Sequence, residues 1–159
     1  MATRPERSVT RPEPYLGVVR ALVETYFAFL ARDSVAIRAA GLTPSQFDVV
    51  ATLGNTKGMT CRALSEQTLV TKGTLTGVLD RLESRGIVRR SASREDRRSI
   101  HVRLTPKGDD LFRSVFPAVI AAMKPYFDRA LGTADAAVLR RLLLQLKASF
   151  DAPIGASSP

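Results

Sequence analysis

The side chains best placed for chemistry in this 159-residue chain lie between Arg81 and Lys107, where nine Lys/Arg stand against three acids. That window holds +6 of the formal net charge of +9. Cations this concentrated suit phosphate, because each one docked on DNA releases condensed counterions. The other reading is a solvated basic face, but such a face needs no hairpin with its charges gathered at the tip. Just upstream, Thr71–Arg85 divides into two faces at about 100° per residue. Leu75, Val78, Leu79 and Leu82 form an apolar quadrant, with Gly73, Thr74, Thr76, Gly77, Asp80, Arg81 and Ser84 opposite. A plain surface helix fills its wet side with Glu and Lys, and each interior glycine costs about 1 kcal/mol relative to Ala. Small residues and hydroxyls suit a helix pressed into a major groove, where threonine meets a thymine methyl or a base-edge acceptor. Thr71, Lys72, Thr74, Thr76 and Arg81 are the expected contacts, and Asp80 is expected to steer Arg81 or Ser84. The hydroxyls of Thr43, Ser45 and Thr60, at helix starts, are candidate phosphate contacts.

No catalytic constellation accompanies these residues. His101, the single histidine, alternates to the outer face of a strand with no Asp or Ser partner in sequence reach. No Cys/His spacing suits zinc and no glycine-rich phosphate loop follows a strand, so no enzyme, metal site or cofactor is expected. Cys61 falls at N1 of a short helix beside Arg62, and both features favour thiolate; its other reading is a small buried hydrophobe. One cysteine excludes an internal disulfide and fits a reducing compartment. No run approaches bilayer-spanning length, and residues 1–14 are too polar for a signal peptide. A single-domain cytoplasmic protein without a membrane partner is expected, and a pI near 10.6 points to nucleic acid or an anionic surface.

The elements that must position these residues follow from periodicity and punctuation. Residues 1–14, with three prolines among polar residues, read as a mobile arm. Leu16, Val19, Leu22, Val23, Tyr26, Phe27 and Leu30 recur at helical spacing, and the helix continues to a stop at Gly41. Thr43-Pro44-Ser45-Gln46 reads as a capping box with proline at N1, opening a helix that ends at Gly54-Asn55. Thr60 caps a short helix to Gln67, and Thr71 caps the next. Gly86 ends that one, and two strands follow, Ile87–Ala92 and Ser99–Thr105, the second with Ile100, Val102 and Leu104 inward. Thr105-Pro106 caps a long helix that Pro117 and Pro125 interrupt. Thr133 caps a last helix with a face of Val138, Leu139, Leu142, Leu143 and Leu146. The fold class is therefore mainly α with a small β-hairpin wing, a winged helix-turn-helix at 43–105 between terminal helices at 15–42 and 106–150. A fraying tail occupies 151–159. The apolar stripes of the terminal helices belong either between two copies of the chain or against each other within one.

Asp96, Arg98, Val102, Leu104, Thr105 and Gly108 occupy every fixed position of the pattern D-x-R-x-x-x-V-x-L-T-x-x-G. In this the chain resembles the MarR family of winged-helix transcriptional regulators, a likeness covering roughly 15–150. The resemblance implies a bacterial or archaeal homodimer that reads a pseudo-palindromic double-stranded operator as repressor or activator. It implies that Arg98 enters the minor groove with Asp96 holding it and Arg94 and Arg97 beside it. A narrow A·T-rich minor groove does attract arginine. It implies that the terminal helices interlock between subunits, and that a small aromatic or phenolic acid binds between them and the DNA-binding lobe. Tyr26, Phe47, Phe112 and Phe116 would wall that site, with Arg20 or Arg38 meeting a carboxylate; each aromatic can equally be core. Family members specialised for urate carry a first-helix tryptophan, absent here. A different class of function stays open, a winged-helix module that binds protein or anionic surfaces without reading bases.

Overall fold

The structure, a computed structural model, describes residues 13–92 and 99–152. The chain runs α1 (Pro14–Ala39), α2 (Pro44–Leu53), β1 (Met59–Thr60), α3 (Cys61–Gln67), α4 (Lys72–Ser84), β2 (Val88–Ala92), β3 (Ile100–Leu104), α5 (Pro106–Ala130) and α6 (Thr133–Asp151). The three strands form one antiparallel sheet in the order β1-β3-β2. Its third strand was not expected: Met59 and Thr60 pair with Val102 and His101, too short a segment to show any period of two. Arg94, Asp96, Arg97 and Arg98 lie outside the described residues. So do most of the expected arm and tail, although the first helix already begins at Pro14.

Local chemistry explains where the helices begin and end. Thr43 accepts from the Gln46 backbone N–H at 3.3 Å while Gln46 Oε1 accepts from the Thr43 N–H at 3.0 Å, the reciprocal cap expected. α1 and α4 stop by the same device. Gly41 (φ +70°) and Gly86 (φ +68°) take a left-handed conformation that glycine adopts without steric cost. The following amides then turn back: Leu42 N–H donates to Ile37 O at 3.2 Å, and Ile87 N–H to Leu82 O at 2.9 Å. All four of those side chains are buried, so each stop drives an apolar residue into the core.

The core itself lies beneath the winged lobe. Val49, Val50 and Leu53 of α2, Leu64 of α3, Leu75, Val78, Leu79 and Leu82 of α4, and Val102 of β3 meet Phe112, Val115 and Val119 of α5. Leu104 packs half-buried against the core as expected, whereas Ile100 is 50% exposed, which corrects its place in the expected inward set on that strand. Ile100 pairs with Ala92 at the far end of the hairpin, beyond the helices the sheet packs on. α5 is a single helix running through Pro117 and Pro125, both exposed. Buried Val115, Val119 and Met123 hold the helix to its neighbours on either side of Pro117. Gly132, not Thr133, is the N-cap of α6, with no side-chain cap bond.

The terminal helices are otherwise bare. No residue of α6 is buried, and Leu16, Val19, Tyr26, Phe27, Leu139, Leu142 and Leu143 are exposed. α1 reaches α5, where the Arg32 guanidinium lies 5.8 Å from the Tyr126 ring centre. Packing of the two terminal helices against each other within one chain therefore does not bury their stripes. By length and composition alone α1 could also cross a bilayer, contrary to expectation; Arg20, Glu24 and Arg32 punctuate an apolar run that is nevertheless long enough.

The start of α5 is fastened to the end of α4. Thr105 Oγ1 donates to Gly86 O at 2.6 Å, Thr105 N–H to Ile87 O at 3.0 Å, and Lys107 Nζ to Arg85 O at 2.8 Å. Gly108 is the fourth member, since a Cβ there would stand 2.1 Å from Ile87 O. Gly108→Ala should destabilise the protein by about 1–3 kcal/mol, the usual cost of forcing an extra carbon into a packed site, as measured by urea unfolding.

Candidate nucleic-acid interface

Helix α4 presents the face read from the sequence. Leu75, Val78, Leu79 and Leu82 are buried, while Lys72, Gly73, Thr74, Thr76, Asp80, Arg81 and Ser84 are exposed. Thr71 is the N-cap by position, but its hydroxyl makes no backbone cap bond. It donates instead to Thr74 Oγ1 at 3.0 Å, so two expected base contacts orient each other. A Cβ built on Gly73 or Gly77 would meet nothing within 4 Å. Nothing inside the protein asks for glycine at either place.

The turn that delivers α4 is pinned from behind. Leu69 N–H donates to Asp48 Oδ2 at 2.6 Å, and Thr68 Oγ1 to Leu64 O at 2.8 Å. Burial pushes the Asp48 carboxyl above its usual range, partly opposed by that Leu69 bond. Between buried Thr68 and Val70, Leu69 is 93% exposed. Sequence reasoning missed both residues; an aspartate inside the apolar run Phe47–Leu53 was the available signal. Among the candidate phosphate contacts, Thr43 is exposed and Ser45 and Thr60 half-buried. Thr43 and Thr60 already accept from Gln46 and Ala63 backbone N–H groups as caps, leaving each hydroxyl proton to donate outward.

On the hairpin, Arg89 stands directly opposite Arg103, and both are exposed. Like charges in that relation destabilise a strand pair, which an anionic partner would relieve. Arg90 behaves differently. Its Nη2 lies 2.7 Å from Asp80 Oδ1 and 2.6 Å from Glu83 Oε2. This corrects the role expected of Asp80, which pairs with Arg90 across to the sheet; Ser84 bonds its own helix at Arg81 O. The Arg90 backbone N–H and side chain hold the Glu83 carboxyl below its usual range.

The remaining sequence candidates separate. His101 sits half-buried in the middle strand, opposite Thr60 and Ser91. Cys61 is half-buried against the core, and desolvation raises its pKa more than Arg90 lowers it. The reading as a small hydrophobe against the core therefore holds over that of a thiolate, and Arg62 pairs instead with Glu66, 3.1 Å distant. Among the described residues no group of His, Cys, Asp or Glu could hold a metal ion. Phe47, Phe112 and Phe116 do come together, with ring centres 6.3 Å (47–116) and 5.2 Å (112–116) apart. Tyr26 lies exposed against Phe27, and Arg20 pairs with Glu24, apart from that cluster. Arg38 is exposed in the last turn of α1. A hollow of about 340 Å³ opens elsewhere, between Arg85, Ile87, Lys107, Asp110, Leu111 and Ser114.

The sequence model of the MarR family matches residues 42–100. The chain is 25% identical over 131 residues to the HTH-type transcriptional regulator FarR of Neisseria gonorrhoeae, across 82% of this chain and 89% of that protein. Among solved structures it is similar to the transcriptional regulator PA4135, 32% identical with a TM-score of 0.69, covering 87% of this chain and 98% of that one. A structure of BpsR from Bordetella bronchiseptica, which concerns regulation of its DNA binding by 6-hydroxynicotinic acid, matches with a TM-score of 0.77. It is 25% identical and covers 91% of this chain and 100% of that one.

The open space at Gly77 separates folding from binding. Gly77→Ala should stabilise the isolated protein by about 0.5–1 kcal/mol, as alanine does in a helix interior. If bases approach that backbone, the same change should weaken operator binding roughly tenfold, or about 1.4 kcal/mol. Thermal unfolding and fluorescence anisotropy on one preparation measure both.

Proposed function

The chain belongs to the MarR family of DNA-binding transcriptional regulators, and on that footing we propose that it is a homodimeric repressor released by a small aromatic or phenolic acid. The observation that carries base reading is the exposed side of α4, where glycines without an internal reason stand among threonines beside Lys72 and Arg81. Thr71, Lys72, Thr74, Thr76 and Arg81 would enter the major groove. Thr43, Ser45 and Thr60 would meet phosphate, and Arg98, steadied by Asp96 and flanked by Arg94 and Arg97, would enter the minor groove. Such a reader of chromosomal DNA works in the cytoplasm.

The dimer is supported by the bare apolar stripes of α1 and α6, which one chain leaves in water. A two-fold dimer would present its two α4 helices to successive major grooves if they stand about 34–36 Å apart. The chain passes between the lobe at 43–105 and the terminal segments 15–42 and 106–150 near Leu42-Thr43 and Thr105-Pro106. A ligand wedged at those joints, against Phe47, Phe112 and Phe116 with Arg38 for its carboxylate, would spoil the register, whereas Tyr26 and Arg20 of the same chain stand apart from that cluster. The ligand acts only by binding the misaligned state more tightly, and operator weakens ligand by the same factor.

Wild type should prefer one palindrome in its own promoter region over competitor DNA, and salicylate should lower that preference in an anisotropy titration. Uniform weak binding to every sequence would favour the module that never reads bases. Leu142→Asp places an unpaired charge in the proposed intersubunit core and should dissociate or unfold the protein. Sedimentation of wild type as a monomer at micromolar concentration would overturn the dimer.

A further inference from the structure

Side chains two apart on a strand share a face. Val88 of β2 is buried in the core, so Arg90 is aimed the same way, toward α4. There Asp80 and Glu83, three residues apart, stand on one side of the helix. Arg90 grips Glu83 through its backbone as well as its side chain. Glu83 Oε1 accepts from the Arg90 backbone N–H at 2.9 Å, and Oε2 from Arg90 Nε at 2.8 Å. Nη2 closes the cluster on Glu83 and Asp80.

The backbone bond decides what this cluster is for. A pair between two side chains fixes two rotamers, whereas a carboxylate bound to a strand amide fixes the path of the strand. Arg90 is paired with Val102 of β3, so fixing β2 at Arg90 fixes the hairpin that leads into and out of the basic segment 93–98. Stability gives little reason for the arrangement, because part-exposed ion pairs add little. Attraction for DNA gives none, since two carboxylates beside a polyanion repel it. What remains is direction.

We propose that Glu83, with Asp80 and Arg90, is a positioning unit that sets the angle of the wing against α4, making reading of the operator flank depend on the recognition helix. This rests on the reading of the chain as a sequence-specific DNA-binding regulator. The residues need touch no base. Glu83 acts through Arg90 on the hairpin, and the hairpin presents the arginines.

The experiment measures affinity for operators carrying A·T or G·C pairs at the flanks, and for operators changed at the centre of each half-site. Glu83→Ala should abolish the flank preference, as Arg98→Ala should, while central discrimination persists and the melting temperature stays near wild type. Glu83→Gln keeps an acceptor for the Arg90 N–H and should recover most of the preference. Should Glu83→Ala fail to fold, Arg90→Met, which keeps the backbone bond and removes the guanidinium, should lower the flank preference in part. Flank preference unchanged in the folded variants, or flank and central discrimination lost to the same degree, would overturn the positioning unit alone. A wild-type protein that prefers no sequence would overturn both this inference and the function beneath it.

Discussion

A helix ends with carbonyls that its own turns cannot satisfy; α4 meets its last ones with the amides of Gly86 and Ile87, and the carbonyls just past it are met by the start of α5. The carbonyls of Arg85, Gly86 and Ile87 receive Lys107, the Thr105 hydroxyl and the Thr105 amide. Gly108 lets the two backbones close to that distance. Between these partners the chain travels out along β2 and back along β3. The wing is therefore an excursion whose two ends are tied together. The same joint continues into α1, because Arg85 Nη1 donates to Gly41 O at 3.0 Å.

Charge is sorted by strand alternation. Outward positions carry Arg89 and Arg103 against each other, a repulsion tolerated in water and useful near an anion. The inward arginine, Arg90, has no such freedom and is met by two carboxylates. One hairpin thus holds cations of two kinds, some left to attract and one committed to geometry.

Much of this was legible in the residues because caps and stops are local. Thr43 with Gln46, Thr105 with Gly108, and the glycines at 41 and 86 act within a few positions of themselves, and the sequence displays them directly. The amphipathic division of α4 was equally readable, since the 3.6 period survives whatever the helix packs on. What escaped was set at a distance. Asp80 was assigned neighbours on its own helix, whereas its partner lies ten residues on, across a turn. For Cys61 the cation that acts is Arg90, distant in sequence, rather than the adjacent Arg62, and burial outweighs it. Ile100 kept the alternation but ran past the core. β1, at two residues, has no pattern to read.

Because Arg85 joins the exits of α1 and α4 to the entrance of α5, a displacement of the terminal helices would be delivered to α4 at its C-terminal end. Turning about that joint together with the α2 and α3 segments to which its entry is pinned, the helix would work as a lever with Thr71, Lys72 and Gly73 at the far tip. Thirteen residues at 1.5 Å each make an arm of about 20 Å. A swing of roughly 10° carries the tip about 3.4 Å, which is the spacing of one base from the next along a strand. The part of the helix that travels furthest is the part furthest from the force.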